Sequence, residues 1–166
     1  GSEMCIRDRS TAALFYLRWG KETYANVRPC EWMPGFRSPL ATPEGIDFVV
    51  IRENLEDLYL GLEGDIEDLH ALNFYSKHAR SNLTDLGPGR YAIKAITEKG
   101  SERVIRFAFQ LANKRAGKRK VTLTSKYNML SHSDGLFREI GQSLSKEFPD
   151  VDFETFIIDD FLCRML

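Results

Sequence analysis

Three apolar segments of the sequence are each followed directly by a side chain that can do chemistry. These side chains are a guanidinium, an amine and a carboxylate, at Arg52, Lys126 and Asp159. Ligand sites of α/β proteins lie at the ends of strands, so we expect one site to contain all three. Two further cations and a phenol are candidates for it, at Arg18, Arg28 and Tyr59. The set predicts a polyanion site with a base, an acid and a metal ligand.

The segment before Arg52 is the element around which this site is organised. Of residues 46–51 only Asp47 is polar, a pattern typical of a strand buried on both faces. The residues that follow, Arg52, Glu53 and Asn54, each need a partner or cost free energy on burial. Two interpretations stay open from the residues alone: a ligand site, or an Arg52–Glu53 pair at a sheet edge.

A phenol and a glycine come shortly after this strand. Tyr59 can donate a proton, and Gly61 lets backbone approach it closely. Before the strand, residues 11–24 predict a helix that ends between Gly20 and Tyr24. Arg28 then lies on a short extended segment that Pro29 is expected to end, and the Pro- and Gly-rich residues 30–45 predict a surface connection.

The segment 62–90 is acidic, weakly patterned and too apolar for a solvated loop. Its apolar residues are Leu62, Ile66, Leu69, Leu72, Phe74 and Tyr75. We favour an arm that orders against a second chain over a mobile loop. His70 and His78 lie in it without a third ligand, so both are interpreted as ordinary surface or interface histidines.

The second half of the chain alternates strands and helices. Strands are predicted at 91–97, 121–125 and 151–158, and helices at Ser101–Arg115 and Ser133–Phe148. The first helix should bury Val104, Phe107, Ala108, Leu111 and Ala112, and the second Leu136, Ile140 and Leu144. Ser133 or Asp134, with His132, is expected to cap the second helix. The basic residues 114–120 suit the end of a helix and a solvated turn better than a phosphate site.

Composition excludes several classes of protein. With 166 residues, 43% of them hydrophobic, the chain can build the core of one domain. A net charge of −1 gives no field for a nucleic acid or a membrane surface, and no apolar run is long enough to cross a bilayer. Cys5, Cys30 and Cys163 lack zinc-site or disulfide spacing, which favours a reducing cytoplasm.

Residues 1–9, which include EMCIRDR, resemble the translation of a transposon end used to prepare sequencing libraries. We therefore expect residues 1–9 to be an artefact, residues 10–166 to be the central part of a longer domain, and the isolated chain to be inactive.

A set of motifs resembles the β-decarboxylating dehydrogenases, the isocitrate and 3-isopropylmalate dehydrogenase family. The motifs are LR with a second arginine in YANVRP, VVIREN with a tyrosine beyond it, KGSERVIRFAFQLA, KYN and IIDDF. The resemblance implies that family's α/β fold in part: a mixed sheet with flanking helices, and a dimer-clasp arm at 62–90.

The resemblance also implies roles for the candidate residues. Arg18, Arg28 and Arg52 would bind the carboxylates of a malate-like 2-hydroxy acid, which a guanidinium can grip in two places. Lys126 would be the base, Tyr59 the acid that protonates the enolate, and Asp159 a ligand of Mg²⁺ or Mn²⁺. Asn128 would lie near substrate and the NAD or NADP cofactor. The lysine and the aspartate would act across a homodimer interface.

The residues that bear on the choice of substrate resemble different enzymes of the family. RENLEDLY is more similar to isocitrate enzymes, whereas Ala12 and Leu14 are more similar to isopropylmalate enzymes. Tyr127 and Asp160 depart from the family pattern, so tartrate and D-malate stay open. We prefer isocitrate slightly, and the alternative of another class is a non-catalytic regulatory subunit.

Overall fold

The computed structural model describes residues 11–115 and 117–165. They form two compact units. The first comprises the described residues up to Leu55 and from Ile96 onward, and the second is Glu56–Ala95. The predicted artefact at 1–9 lies outside the described residues.

The first unit begins with a helix and an antiparallel pair of strands. Helix α1 is α-helical over 11–15 and continues as a π-helix over Tyr16–Gly20. Its end confirms the predicted one. Strand β1 (Ala25–Glu31) pairs with β2 (Asp47–Glu53), and this register places Asn26 opposite Arg52.

Two predictions about these strands are wrong. Pro29 does not end the extended segment, because β1 runs through it to Glu31, and an edge strand tolerates a missing N–H. β2 is not buried on both faces: its residues are exposed or half-buried, and Val50 is 43% exposed. Within the described chain β2 has β1 as its strand neighbour, in a sheet of two strands, and one helix packs against it.

The rest of the first unit is an α/β segment that confirms the predicted alternation. Helix α2 (Glu98–Lys114) is followed by β7 (Lys120–Ser125), α3 (Ser133–Leu144), β8 (Asp152–Ile157) and α4 (Ile158–Arg164). The strands between β2 and β7 belong to the second unit: β3 (Glu63–Asp65), β4 (Tyr75–Ser76), β5 (Ser81–Asn82) and β6 (Arg90–Ala92). Strands β7 and β8 pair in parallel, with α3 as the crossover. The Thr97 hydroxyl caps α2 by accepting the Gly100 N–H at 3.0 Å.

The core of this unit centres on Phe109 of α2. Its side chain is fully buried, and its ring stacks on Phe148 with 5.0 Å between centroids. Around it lie buried apolar side chains from α2, β7, α3 and the residue before β8: Val104, Ile105, Leu123, Leu144 and Val151. The predicted face of α2 was correct at Val104, but its other members are only half-buried. Because α2 contacts β2, β7 and α3, its buried stripe also takes in Ile105 and Phe109.

Close packing of α3 on β7 depends on a glycine. A Cβ at Gly141 would lie 2.6 Å from Cδ1 of Leu123 and 3.0 Å from Cζ of Phe153. Real Cβ atoms do not approach that closely, so a larger residue at Gly141 would move α3 away from the parallel pair.

The second unit consists of short elements. β3 (Glu63–Asp65) pairs with β6 (Arg90–Ala92), and β4 (Tyr75–Ser76) with β5 (Ser81–Asn82), both antiparallel. Three 3-10 helices cover Leu58–Leu60, Ile66–Leu72 and Leu83–Leu86. The strand predicted over 91–97 is too long. It ends at Ala92, because Ala95 makes only an isolated bridge to Asp57 and Thr97 caps α2.

The second unit exposes much of its apolar surface. Ile66 is 9% exposed, whereas Leu62, Leu72, Phe74, Tyr75 and Leu86 are each at least half exposed. Throughout the described chain, no helix combines the length and the apolar character needed to span a bilayer.

Phe109→Ala is expected to lower the free energy of unfolding by about 3–5 kcal/mol, because it leaves a cavity under Phe148 that the surrounding core cannot fill. Chemical denaturation followed by circular dichroism measures this loss. Phe36→Ala is the matched control, since that ring is 68% exposed. Equal losses in the two variants would contradict the assignment of the core.

An ion pair on the surface predicts a dependence of stability on pH. The Arg106 guanidinium donates to both carboxylate oxygens of Glu147, at 2.7 and 3.2 Å, and so ties α2 to the turn after α3. These hydrogen bonds hold the pKa of Glu147 below its ordinary value of 4.5. The stabilisation is therefore present above about pH 4.5 and is lost as the pH falls through the lower pKa of the folded protein.

Glu147→Gln should accordingly lower Tm slightly at neutral pH, and the difference from the unmodified protein should shrink toward zero in acid. Thermal melts across the pH range measure it. Glu139→Gln, at an exposed glutamate of α3, makes the same change of charge. A difference for Glu147→Gln that stays constant down to the lowest pH would contradict the pairing.

Candidate functional site

Two of the predicted site residues meet at one edge of the parallel strands. Lys126 directly follows β7, and Asp159 lies in the first turn of α4, which begins where β8 ends. Because β7 and β8 are parallel, their carboxyl ends share this edge. The Lys126 amine donates a hydrogen bond to the Asp159 carboxylate. This bond lowers the pKa of Asp159 below its usual range.

The backbone of Lys126 is hydrogen-bonded to a buried carboxylate. Asp134 is 4% exposed, and its Oδ1 accepts the backbone N–H of Lys126 at 3.1 Å. The prediction that Ser133 or Asp134 caps α3 is therefore wrong, whereas the prediction that His132 belongs to the cap is correct in position. His132 occupies the N-cap position without a side-chain cap, and Asp134 bonds to the preceding turn instead.

That turn carries Asn128. It is closed by the N–H groups of Met129 and Leu130, which donate to the Lys126 carbonyl at 3.0 and 2.9 Å. The Asn128 side chain is exposed, so its amide can bind a ligand. Tyr127 lies under the Arg138 guanidinium, 4.5 Å from the ring centroid, and that contact accounts for the large residue in this turn.

Arg28 and Arg52 lie on one face of the β1–β2 pair. Asn26 shares this face, because it is two residues before Arg28 and directly opposite Arg52. Each arginine donates to an asparagine two residues away: Arg28 Nε to Oδ1 of Asn26, and Arg52 Nη2 to Oδ1 of Asn54, both at 3.0 Å. Each of these two hydrogen bonds has a neutral acceptor.

Glu53 has a partner on another element. One carboxylate oxygen lies 3.5 Å from the Arg103 guanidinium of α2, and the other accepts the Leu55 N–H at 2.8 Å. Arg103 also stacks over the ring of Tyr24, 5.1 Å from its centroid. Glu53 therefore anchors the end of β2 to α2.

Arg18 and Tyr59, the remaining candidates, lie on two other helical elements. Arg18 is half-buried on the π-helical turn of α1, with its guanidinium 5.5 Å from the Trp19 ring centroid. Tyr59 belongs to the second unit, on the 3-10 helix Leu58–Leu60, and is 47% exposed.

The predicted reason for Gly61 needs correction. A Cβ there would meet nothing within 4 Å, so close backbone approach does not require a glycine. Its φ of +66° does, because the residue ends the 3-10 helix in the left-handed conformation.

A divalent metal ion fits this arrangement only in part. Asp159 is an exposed carboxylate, the hard oxygen ligand that Mg²⁺ and Mn²⁺ prefer. Residues 11–115 and 117–165 contain no group of three His, Cys, Asp or Glu side chains placed to hold a metal. Asp159 can therefore supply one ligand, and the described residues do not complete the site.

Comparison with known proteins then identifies the family. The isocitrate/isopropylmalate dehydrogenase family model matches residues 4–166. The chain belongs to this family. The match overlaps residues 4–9, whose origin as an artefact stays a prediction.

Curated relatives in the isocitrate/isopropylmalate dehydrogenase family are about one-third identical to the chain. A 3-isopropylmalate dehydrogenase of Archaeoglobus fulgidus is 35% identical over 154 residues, covering 90% of this chain and 39% of that protein. The NADP isocitrate dehydrogenase of Thermus thermophilus is 35% identical over 139 residues, covering 84% of this chain and 24% of the other. The chain thus spans well under half the length of these two relatives.

A solved structure shows the same fold. The isocitrate dehydrogenase of Methylococcus capsulatus superposes with a TM-score of 0.69 at 36% identity, over 90% of this chain and 38% of that one. The predicted α/β fold of the family is confirmed. In the described residues its parallel and antiparallel ladders form separate two-stranded sheets.

Sequence reasoning did not assign Asn26, Asn54 or Asp134 to the site. A signal existed for Asn26, because alternation along a strand puts it on the face of Arg28. The sequence showed Asn54 as a polar residue close to Arg52 but gave it no role, and Asp134 was interpreted as a helix cap.

Proposed function

We propose that the chain is the central part of an NAD(P)-dependent oxidative decarboxylase of a malate-type 2-hydroxy acid. The observation that carries this proposal is the contact of Lys126 with Asp159 at the carboxyl edge of β7 and β8. Family membership supports the reaction class, and the placement of a cation and a carboxylate at that edge supports the assignment of residues.

The arginines supply substrate binding in this proposal. Arg28 and Arg52 share one face of the β1–β2 pair, and each can grip a carboxylate with two parallel hydrogen bonds. Arg18 adds a third guanidinium from α1. Several cations suit an acid with two or three carboxylates, and they would hold its hydroxyl-bearing carbon in a fixed place.

Lys126 and Tyr59 move protons. Lys126 would take the proton of the 2-hydroxyl while the hydride of the same carbon passes to the nicotinamide, and together these transfers yield a 2-oxo acid. After carbon dioxide departs, Tyr59 donates its phenolic proton to the enolate carbon. Asp134 keeps the lysine backbone in place by accepting its N–H.

Asp159 and Asn128 are the proposed contacts of the metal ion and the nicotinamide. Asp159 would hold Mg²⁺ or Mn²⁺ together with ligands beyond the described residues, and the bound ion would supply Lewis acidity that stabilises the enolate. Asn128, exposed in the turn after β7, would bind near both substrate and nicotinamide. NAD and NADP are both candidates.

We propose isocitrate as the slightly preferred substrate, on the strength of RENLEDLY, with 3-isopropylmalate, tartrate and D-malate as alternatives. A non-catalytic regulatory subunit is the alternative of another class. Retention of Arg18, Arg28, Arg52, Tyr59, Lys126 and Asp159 argues against it, because a regulatory subunit has no need of a base and an acid.

The complete gene around this chain provides the test. Its product should reduce NAD or NADP with one of the four acids in a steady-state panel, in the presence of Mg²⁺ or Mn²⁺. Absence of turnover with every acid, together with a downstream sequence that lacks further metal-binding aspartates, would contradict the enzyme and favour the regulatory subunit.

We further propose a homodimer that forms through residues 62–90. The exposed apolar side chains of that segment support it, because monomers seldom leave such a patch uncovered. The described cysteines Cys30 and Cys163 are free thiols, which suits the proposed cytoplasmic location.

A further inference from the structure

Asn54 is a buried amide directly beyond β2. Its residue is only 8% exposed, and buried amides cost free energy unless their polar atoms are bonded. Both ends of this side chain are bonded. Oδ1 accepts from Arg52 Nη2 at 3.0 Å, and Nδ2 donates to the Thr23 carbonyl at 2.9 Å.

Asn54 therefore joins two segments that carry arginines. Its backbone N–H also donates to the Tyr24 carbonyl at 2.9 Å, next to the start of β1. Thr23 is tied to α1 in turn, since its N–H donates to the Arg18 carbonyl at 3.1 Å and its hydroxyl to the Leu17 carbonyl at 2.9 Å. One residue thus connects the end of β2, the start of β1 and the last turn of α1.

We propose that Asn54 is a positioning residue for the binding of a di- or tricarboxylate. It orients the guanidinium of Arg52, and it fixes the α1–β1 connection so that Arg18 and Arg28 keep their places. Because the amide is neutral, its bond to Arg52 aims the guanidinium without placing a negative charge beside the substrate. This inference rests on the proposed function.

Orienting Arg52 in advance strengthens substrate binding because a free arginine side chain is flexible. Such a long side chain loses rotamer entropy when it is fixed in one conformation. If Asn54 fixes Arg52 before the substrate arrives, binding does not bear that loss. Removal of the amide should therefore weaken substrate binding and leave the chemistry at Lys126 largely unchanged.

A double-mutant cycle on the complete enzyme tests the proposal. Asn54→Ala should raise KM for the acid about tenfold to a hundredfold, the effect of losing a hydrogen bond to a charged group, with kcat within about threefold. In an Arg52→Ala background the same change should raise KM less, because the effect through Arg52 is gone and only the effect through Arg18 and Arg28 remains. An equal rise in both backgrounds, or an unchanged KM with less folded protein, would overturn the proposal.

Two further variants keep the test decisive. Asn113→Ala removes an exposed asparagine from α2 and should leave KM unchanged. If Asn54→Ala does not fold, Asn54→Asp keeps the shape and an acceptor for Arg52, but it adds a negative charge and loses the N–H that the Thr23 carbonyl accepts. Its KM should rise in both backgrounds and more when Arg52 is present, because the new carboxylate competes with the substrate for that guanidinium; an equal rise in both backgrounds would overturn the proposal.

The outcomes also separate this inference from the proposed function. If Arg52→Ala raises KM and Asn54→Ala does not, only the role of Asn54 is wrong. If Arg52→Ala itself leaves KM unchanged, the proposed binding site is wrong, and the inference is overturned with it.

Discussion

Lys126→Met in the complete enzyme is expected to reduce turnover by roughly 10²–10⁴-fold, the usual contribution of a positioned general base. Methionine keeps the length of the side chain but cannot accept the proton of the 2-hydroxyl. Binding of the acid should stay close to normal, because the arginines provide the carboxylate contacts. Stopped-flow absorbance of the reduced nicotinamide and calorimetric titration of the acid measure the two effects.

The control for this variant is Lys146→Met, at an exposed lysine in the turn after α3. It should leave both turnover and binding unchanged. A Lys126→Met enzyme with near-normal kcat and only a raised KM would show that the amine is a simple anion contact, and the assignment of the base would be wrong.

Co-expression of Tyr59→Phe with Lys126→Met is expected to restore activity that neither variant has alone. If Tyr59 and Lys126 of one site come from different subunits, a mixed dimer has one site with both residues intact and one with neither. Its activity should be about half that of the unmodified dimer. Differently tagged subunits allow the mixed dimer to be purified before the assay.

Mixing the two purified homodimers without exchange of subunits is the control, and it should give no recovery. If the purified mixed dimer is no more active than either variant, sites are not shared between subunits. The exposed apolar side chains of residues 62–90 would then need a different partner.

The sequence predicted the elements of the first unit well where a regular pattern extended over many residues. α2, β7, α3 and β8 were found because their apolar spacing and Pro149 agree with one structure. The start of α2 was predicted too late, at Ser101, because Thr97 was assigned to a strand and not recognised as the cap of a helix that begins at Glu98. The burial of β2 was not predictable in this way. A continuous apolar run indicates burial on two faces, but it does not say which segments supply the cover.

Within the candidate site, strand ends were predictable and side-chain partners were not. The meeting of Lys126 and Asp159 follows from the parallel pairing of β7 and β8, which the order of elements indicates. Asp134 could not be assigned in the same way. A carboxylate at the start of a helix can bond to its own first turn or to a neighbouring loop, and only the packing of α3 decides between them.

The second unit is closed at its own base. The Asp57 N–H donates to the Ala95 carbonyl at 3.0 Å, and the two residues form an isolated antiparallel bridge. The forty residues Glu56–Ala95 therefore begin and end next to each other. An inserted segment whose two ends are adjacent can be lengthened, shortened or replaced during evolution. The topology of the first unit does not change, because the two points at which the segment is inserted stay the same.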